Sequence, residues 1–257
     1  MSAQRNLIAY STIVIKEVGR FTRIWIQTLL PPAISMTLYF VVFGNLIGPR
    51  IGTMDGFSYM EFIAPGIIMM AVMNNSYANV VSSFFSAKFQ RHIEEMLVAP
   101  IPNIVILAGY ITGGVTRGLM VGIIVTIVAL FFTHLDVNNL PMTFIVVLLT
   151  SILFSLGGLI NGIYAKKFDD ISIIPAFILT PMIYLGGVFY SIELLPAFWQ
   201  SVSIFNPILY MVNAFRYGML GISDIDITLA FVIIILFIII LSTLALYLLS
   251  RGTGIKP

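Results

Sequence analysis

Six stretches of this sequence are apolar over about 20 residues or more, the length that carries a helix across a hydrocarbon core. They run from about Ile24 to Leu46, Met60 to Phe85, Ile104 to Phe132, Met142 to Ala165, Ile171 to Tyr190 and Ile227 to Leu249. The remaining sequence is short and polar by comparison, so the predicted fold is an all-α membrane protein with six transmembrane helices. Composition agrees: 59% of residues are hydrophobic and 9% charged, too few charges for the surface of a soluble domain.

The cations set the predicted topology. Arg5, Lys16, Arg20, Arg23, Lys88, Arg91, Lys166, Lys167, Arg251 and Lys256 fall in one set of connections. The opposite set holds Arg50 and Arg216, and Arg117 lies within the third run. That asymmetry places both termini and the Lys88 connection in the cytoplasm. Three regions follow: an interfacial helix over 1–23, a six-span domain over 24–251 and a cytoplasmic tail over 252–257. In 1–23, Leu7, Tyr10, Val14, Val18, Phe21 and Trp25 share one helical face, and Lys16, Arg20 and Arg23 another. Nothing at the N-terminus resembles a cleaved signal. Pro31-Pro32 is expected to bend the first span. Leu194 to Leu220 is too apolar for a free loop but is broken at Pro196, Asn206-Pro207 and Gly218, which suits two short helices in the outer leaflet.

Ser86 to Asn103, SAKFQRHIEEMLVAPIPN, is the most polar connection. Phe89, Ile93, Met96 and Leu97 recur at helical spacing, and Pro100 and Pro102 stop the pattern. A short amphipathic helix at the membrane surface results, either a plain connector or the place where a soluble partner pushes. Asn75, Asn79, Ser82 and Ser86 form a polar stripe on the second span, readable as interhelical glue or as one wall of a path. Arg117 is an intramembrane cation with no acidic residue at its depth. Gly109, Gly113, Gly114, Gly118 and Gly122 on the third span and Gly157, Gly158 and Gly162 on the fourth predict close helix packing.

Several functions are disfavoured. Net charge is +2 and there is no cysteine, so nucleic-acid binding, a thiolate nucleophile and a Cys-based metal site lack support. No GxxxxGK[ST] loop cradles a phosphate, and no HExxH is present. His92 and His134 fall on opposite sides of the membrane in this topology. Glu61, Glu193, Asp224 and Asp226 are the only acids that a lipid-modifying enzyme would have near the outer surface. An ion-coupled secondary transporter lacks a deep carboxylate. A non-transporting scaffold also remains open.

Leu179 to Arg216, LTPMIYLGGVFYSIELLPAFWQSVSIFNPILYMVNAFR, carries the most specific pattern. Gly186, Pro196, Pro207, Tyr210 and Arg216 stand at its spaced positions, and IEEMLVAPIP follows the second span. With six spans and a short N-terminal helix, the chain resembles the membrane subunit of a type-2 ABC exporter. The resemblance implies two membrane subunits working with two cytoplasmic ABC ATPases. ATP and Mg would sit on the ATPases, with no cofactor and no metal held by this chain. It makes Phe89, Arg91, Glu94, Glu95, Leu97 and Pro100 part of a coupling helix seated on the ATPase. It places Asn75, Asn79 and Ser82 opposite Phe177, Thr180, Pro181 and Tyr184 along a path, with Ile192 to Leu220 as an outer gate. It also implies a bacterial inner membrane, a second copy of this chain, and no catalytic residue.

Overall fold

The computed structural model describes residues 3–252 and 254, so only Gly252 and Gly254 of the tail fall within it. Of the described residues, 81% are helical. The long elements are α1 (Ala3–Arg23), α2 (Trp25–Ile51), α3 (Tyr59–Phe89), α5 (Asn103–Leu130), α6 (Leu140–Tyr164) and α10 (Ile227–Arg251). The short ones are α4 (His92–Val98), α7 (Asp170–Tyr184), α8 (Ala197–Ile204) and α9 (Pro207–Leu220). A two-stranded hairpin, Thr53–Met54 with Phe57–Ser58, departs from the all-helical expectation. Asp55 and Gly56 both take positive φ, 50° and 85°, as a two-residue hairpin turn requires.

Polar side chains set the helix starts. Ser58 and Glu61 form a reciprocal capping box at α3, while Asn139, Asn206 and Asp226 accept backbone N–H bonds at α6, α9 and α10. Gly221 and Gly252, at φ 77° and 64°, close α9 and α10 in the left-handed conformation.

Among the described residues, four helices are long and apolar enough to cross a membrane: α2, α5, α6 and α10. The expected count of six is not reached on that criterion, for two physical reasons. α3 has the length, but Asn74, Asn75, Asn79, Ser82, Ser83 and Ser86 lower its hydropathy. α7 ends at Tyr184 rather than running on to Tyr190, because the chain turns at Gly187 with φ 72°. α2 continues through Pro31 and Pro32; the break in the chain falls earlier, at Ile24.

α3 is the central element, buried along most of its length against α5 and α6. Glycines permit the approach. A Cβ on Gly158 of α6 would stand 2.5 Å from the Tyr77 carbonyl oxygen. α1 lies along α5 by the same means: a Cβ on Gly109 would meet Ile13 at 2.5 Å, and one on Gly113 would meet Glu17 at 2.6 Å. The outward faces stay apolar. Ile26, Leu30, Ile34, Leu38, Val42 and Leu46 form an exposed stripe at four-residue spacing on α2.

Candidate functional site

Prolines remove backbone donors, and inside an apolar bundle the freed carbonyls need partners. Pro32 leaves the Thr28 carbonyl without its helical bond, and Arg117 Nη2 reaches it at 3.4 Å. The same Nη2 donates to Asn75 Oδ1 at 3.1 Å. Pro175 likewise frees the Ile171 carbonyl of α7. Asn161 Nδ2 donates to that oxygen at 3.3 Å and to the Tyr77 hydroxyl at 2.7 Å. Arg117 thus finds an amide and a carbonyl where the sequence offered no acid. α7 is tied to α3 and α6 through Asn161.

One turn further along α3 the seam meets α1. Arg20 Nη2 donates to the Asn79 carbonyl at 2.9 Å and to Asn79 Oδ1 at 2.8 Å. Ser83 Oγ donates to Glu17 Oε1 at 2.7 Å, and Glu17 is fully buried. Helical periodicity puts Arg20 on a different face of α1 from Val18 and Phe21. It turns inward because Asn79 offers two acceptors and Glu17 stands beside it, 3.8 Å from its Nε. Glu17 itself was not foreseen. The available signal was an acid four residues from both Ile13 and Phe21, on the face that packs.

Burial raises the Glu17 pKa above the usual carboxylate range, with the Ser83 hydroxyl, Arg20 and Lys16 pulling it back down. An acid whose pKa is higher when docked binds its proton more tightly in that state. Docking of α1 is therefore favoured at low pH and loses stability as pH rises from the ordinary Glu range through the raised value. Glu17→Gln keeps the acceptor for Ser83 and has no proton to lose. Its melting temperature is expected to vary less with pH than that of the unaltered protein, between mildly acidic and mildly basic buffers. Equal slopes for the two proteins would show that Glu17 does not titrate with docking.

The polar connection after α3 forms α4, as its spacing predicted. Arg91 takes φ 61° and ψ 6°, a left-handed turn that redirects the chain between α3 and α4. Ile93 is fully buried within a cluster that includes Phe84, Leu107, Leu159 and Leu248, so α4 is fixed to the bundle. Met96 and Leu97 pack against that cluster. Glu95, Val98 and Pro100 are exposed and Glu94 is half-buried. Phe89 is exposed and rests on Phe168 of the α6–α7 connection, ring centroids 5.2 Å apart. Lys88 Nζ donates to the Ile163 and Ala165 carbonyls, at 2.5 and 2.7 Å, capping the C-terminal end of α6.

The remaining expected residues separate. Ser82 is half-buried and donates to the Ala78 carbonyl. Phe177, Thr180 and Tyr184 are exposed on α7. Tyr184 shares a 3.3 Å hydroxyl contact with Tyr39 of α2. Within one chain, Asn75 and Asn79 do not face these residues; they hold Arg117 and Arg20. Of the expected signature residues, Gly186, Pro207, Tyr210 and Arg216 pack at the other end of the bundle, where a Cβ on Gly186 would meet Ile208 at 2.7 Å. Pro196 is exposed just before α8.

Long apolar helices around a polar seam, with a rigid polar helix at the basic end, define a polytopic helical membrane protein. The family described as ABC-2 type transporter matches residues 9–220, and the chain belongs to that family. It is 57% identical over 249 residues, 97% of each chain, to the inner membrane transport permease YadH of Escherichia coli K12. It is 24% identical over 215 residues, 83% of each chain, to nodulation protein J of Rhizobium leguminosarum bv. viciae. Against nodulation protein J of Rhizobium meliloti strain 1021 it is 23% identical over 219 residues, 85% of this chain and 79% of that one. The resemblance drawn from Leu179 to Arg216 is borne out.

Proposed function

We propose that this chain is the permease subunit of an ATP-driven exporter of the bacterial inner membrane. It works as a dimer of this chain with two copies of a separate cytoplasmic ABC ATPase. The observation that carries the reading is α4. It is short, anchored by Ile93, and joined by short connections to α3 and α5. Its outward side carries Glu95 and Val98, with Phe89 beside them. A soluble subunit pressing there would move the central helix and its neighbour as one body.

In this reading the basic end is cytoplasmic and both termini lie there. Six segments cross the membrane, with α3 shielded by its neighbours and the α7 segment completed by the turn that follows it. Phe89, Arg91, Glu94, Glu95, Leu97 and Pro100 meet the ATPase. Phe177, Thr180 and Tyr184 line the path on the exposed face of α7, and the α2 stripe faces the second copy or lipid. Asn75, Asn79 and Ser82 serve the path from behind, by holding Arg117, Arg20 and the turn of α3 they belong to. α8 and α9 form the outer gate. ATP and Mg belong to the ATPase, whose closure shifts the populations of inward- and outward-open states. This chain supplies no catalytic group and binds no nucleic acid.

Cross-linking in native membranes, gentle solubilisation and mass spectrometry test the reading. A P-loop ATPase cross-linked to α4 is the expected result. Recovery of the chain with no such ATPase, or cross-links to α4 only from reagents confined to the outside, would overturn it.

A further inference from the structure

Two concavities meet at the end of the bundle away from the basic clusters. One is an apolar groove of about 340 Å³ between α5, α6 and α9. It runs from Ile127 to Leu119 on α5, roughly 12 Å at 1.5 Å per residue. Ile123, Ile127, Leu140 and Phe144 along it are exposed, so the groove opens sideways, where hydrocarbon would lie. Above it is a polar pocket of about 240 Å³ with Glu61, His134, Asp136 and Asn138 in its wall. Val137 and Met219 line both, so the apolar groove and the acidic pocket adjoin at these two residues and together form a cleft, apolar below and acidic above.

The junction is held by the backbone. Asn138 N–H donates to the Met219 carbonyl at 2.9 Å and Asn139 N–H to the Gly218 carbonyl at 2.7 Å. These bonds pin the α5–α6 connection onto the end of α9. Glu61 takes both Ser58 bonds on Oε2, so its Oε1 is not used by the capping box. Asp136 is exposed, and no lysine or arginine lines the pocket.

We propose that this cleft binds one phospholipid whose headgroup ends in an ammonium, its acyl chain in the groove and its ammonium between Glu61 and Asp136. The groove alone would take any chain. Selection comes from two carboxylates, which form charge-assisted hydrogen bonds with a primary ammonium and repel an anionic headgroup. The lipid would brace α9 against α5 and α6, and this holds whether or not the chain is a permease.

The test reconstitutes the protein in nanodiscs of equal phosphatidylethanolamine and phosphatidylglycerol, then reads retained lipid by native mass spectrometry. Phosphatidylethanolamine is expected to be retained at least several-fold over phosphatidylglycerol. Asp136→Lys, in an exposed connection, should reverse that preference. Ile123→Trp, on the open side of the groove, should reduce retention of both lipids. Equal retention by the unaltered protein, or a preference unmoved by Asp136→Lys, would overturn the proposal. So would full retention in Ile123→Trp, or complete displacement by soluble glycerophosphoethanolamine, since either would show that the groove contributes nothing.

Discussion

Arg216→Ala is expected to lower the melting temperature of the purified protein by roughly 6–20 °C, from about 3–5 kcal/mol for breaking a buried charge pair and about 2–4 °C per kcal/mol at this size. Arg216 is fully buried at the end away from the basic clusters. Its Nη2 donates to the Gly187 carbonyl at 2.5 Å, and its guanidinium lies 4.0 Å from the centre of the Phe62 ring. Nη1 stands 4.0 Å from Asp224 Oδ2. Asp224 in turn accepts from Ser191 Oγ at 2.9 Å and Ile192 N–H at 3.0 Å. One side chain therefore joins α9, the turn that ends α7, the start of α3 and the approach to α10. Its loss leaves the Gly187 carbonyl without that donor and Asp224 a buried charge without its cation. Pairing the change with Asp224→Asn should recover part of the loss, because the amide keeps an acceptor and drops the charge. Arg216→Lys should fall between, since an ammonium cannot stack on Phe62 or fork as a guanidinium does. Melting of Arg216→Ala within about 2 °C of the unaltered protein would mean that the contact is worth under about 1 kcal/mol, and would remove Arg216 from the list of staples.

Most of this architecture could be read from the chain, and the parts that could not share one cause. Apolar length and the clustering of Lys and Arg are local properties. They located the helix starts to within a few residues and sorted the connections to two ends, where the structure collects Lys88, Ile163 and Gly252 at one and Glu61, His134 and Asp224 at the other. The glycines of α5 announced close contact, but not that Gly109 and Gly113 would receive α1 instead of a neighbouring span. The Asn75–Asn79 stripe announced polarity, but Asn79 finds its partner 59 positions away in Arg20. Pro32 declares in sequence that the Thr28 carbonyl is free. Which cation comes to it depends on how α5 packs on α2. Two misses were legible in principle. Asp55-Gly56 between Met54 and Phe57 is a hairpin signal, and Glu17 interrupts the packing face of α1 at the spacing of that face. α7 ends early because Gly187 turns beneath Arg216, a contact between residues that only the tertiary fold brings together.

On the proposed function, reversing two charges on α4, Glu94→Lys with Glu95→Lys, is expected to abolish ATP-driven export while leaving insertion intact and lowering the melting temperature by less than about 8 °C. The two carboxylates follow Ile93, the residue that fixes α4, so their positions relative to the bundle are set even though Glu95 is exposed. Losing a charge pair across an interface costs at least about 2 kcal/mol, and two reversals add repulsion, so the permease–ATPase affinity should fall by about thirtyfold or more. α4 should still form: its start is set by the turn at Arg91 and its register by Ile93, neither of which is touched. The penalty of two lysines in the first turn, against the helix dipole, is about 1 kcal/mol each, at exposed Glu95 and half-buried Glu94. Affinity for the ATPase and thermal stability are thus separable readouts. A loss of copurified ATPase from a protein that stays folded, its melting temperature lowered by less than about 8 °C, identifies α4 as the contact. Changing Lys166 and Lys167 together to Ala is the matched control. It removes charge from the neighbouring α6–α7 connection at the same end and should leave the ATPase bound if α4 carries the coupling. Normal export by the Glu94→Lys, Glu95→Lys protein, with the ATPase still attached, would require the push to enter elsewhere, and the exposed Phe89–Phe168 pair would then be the next surface to alter.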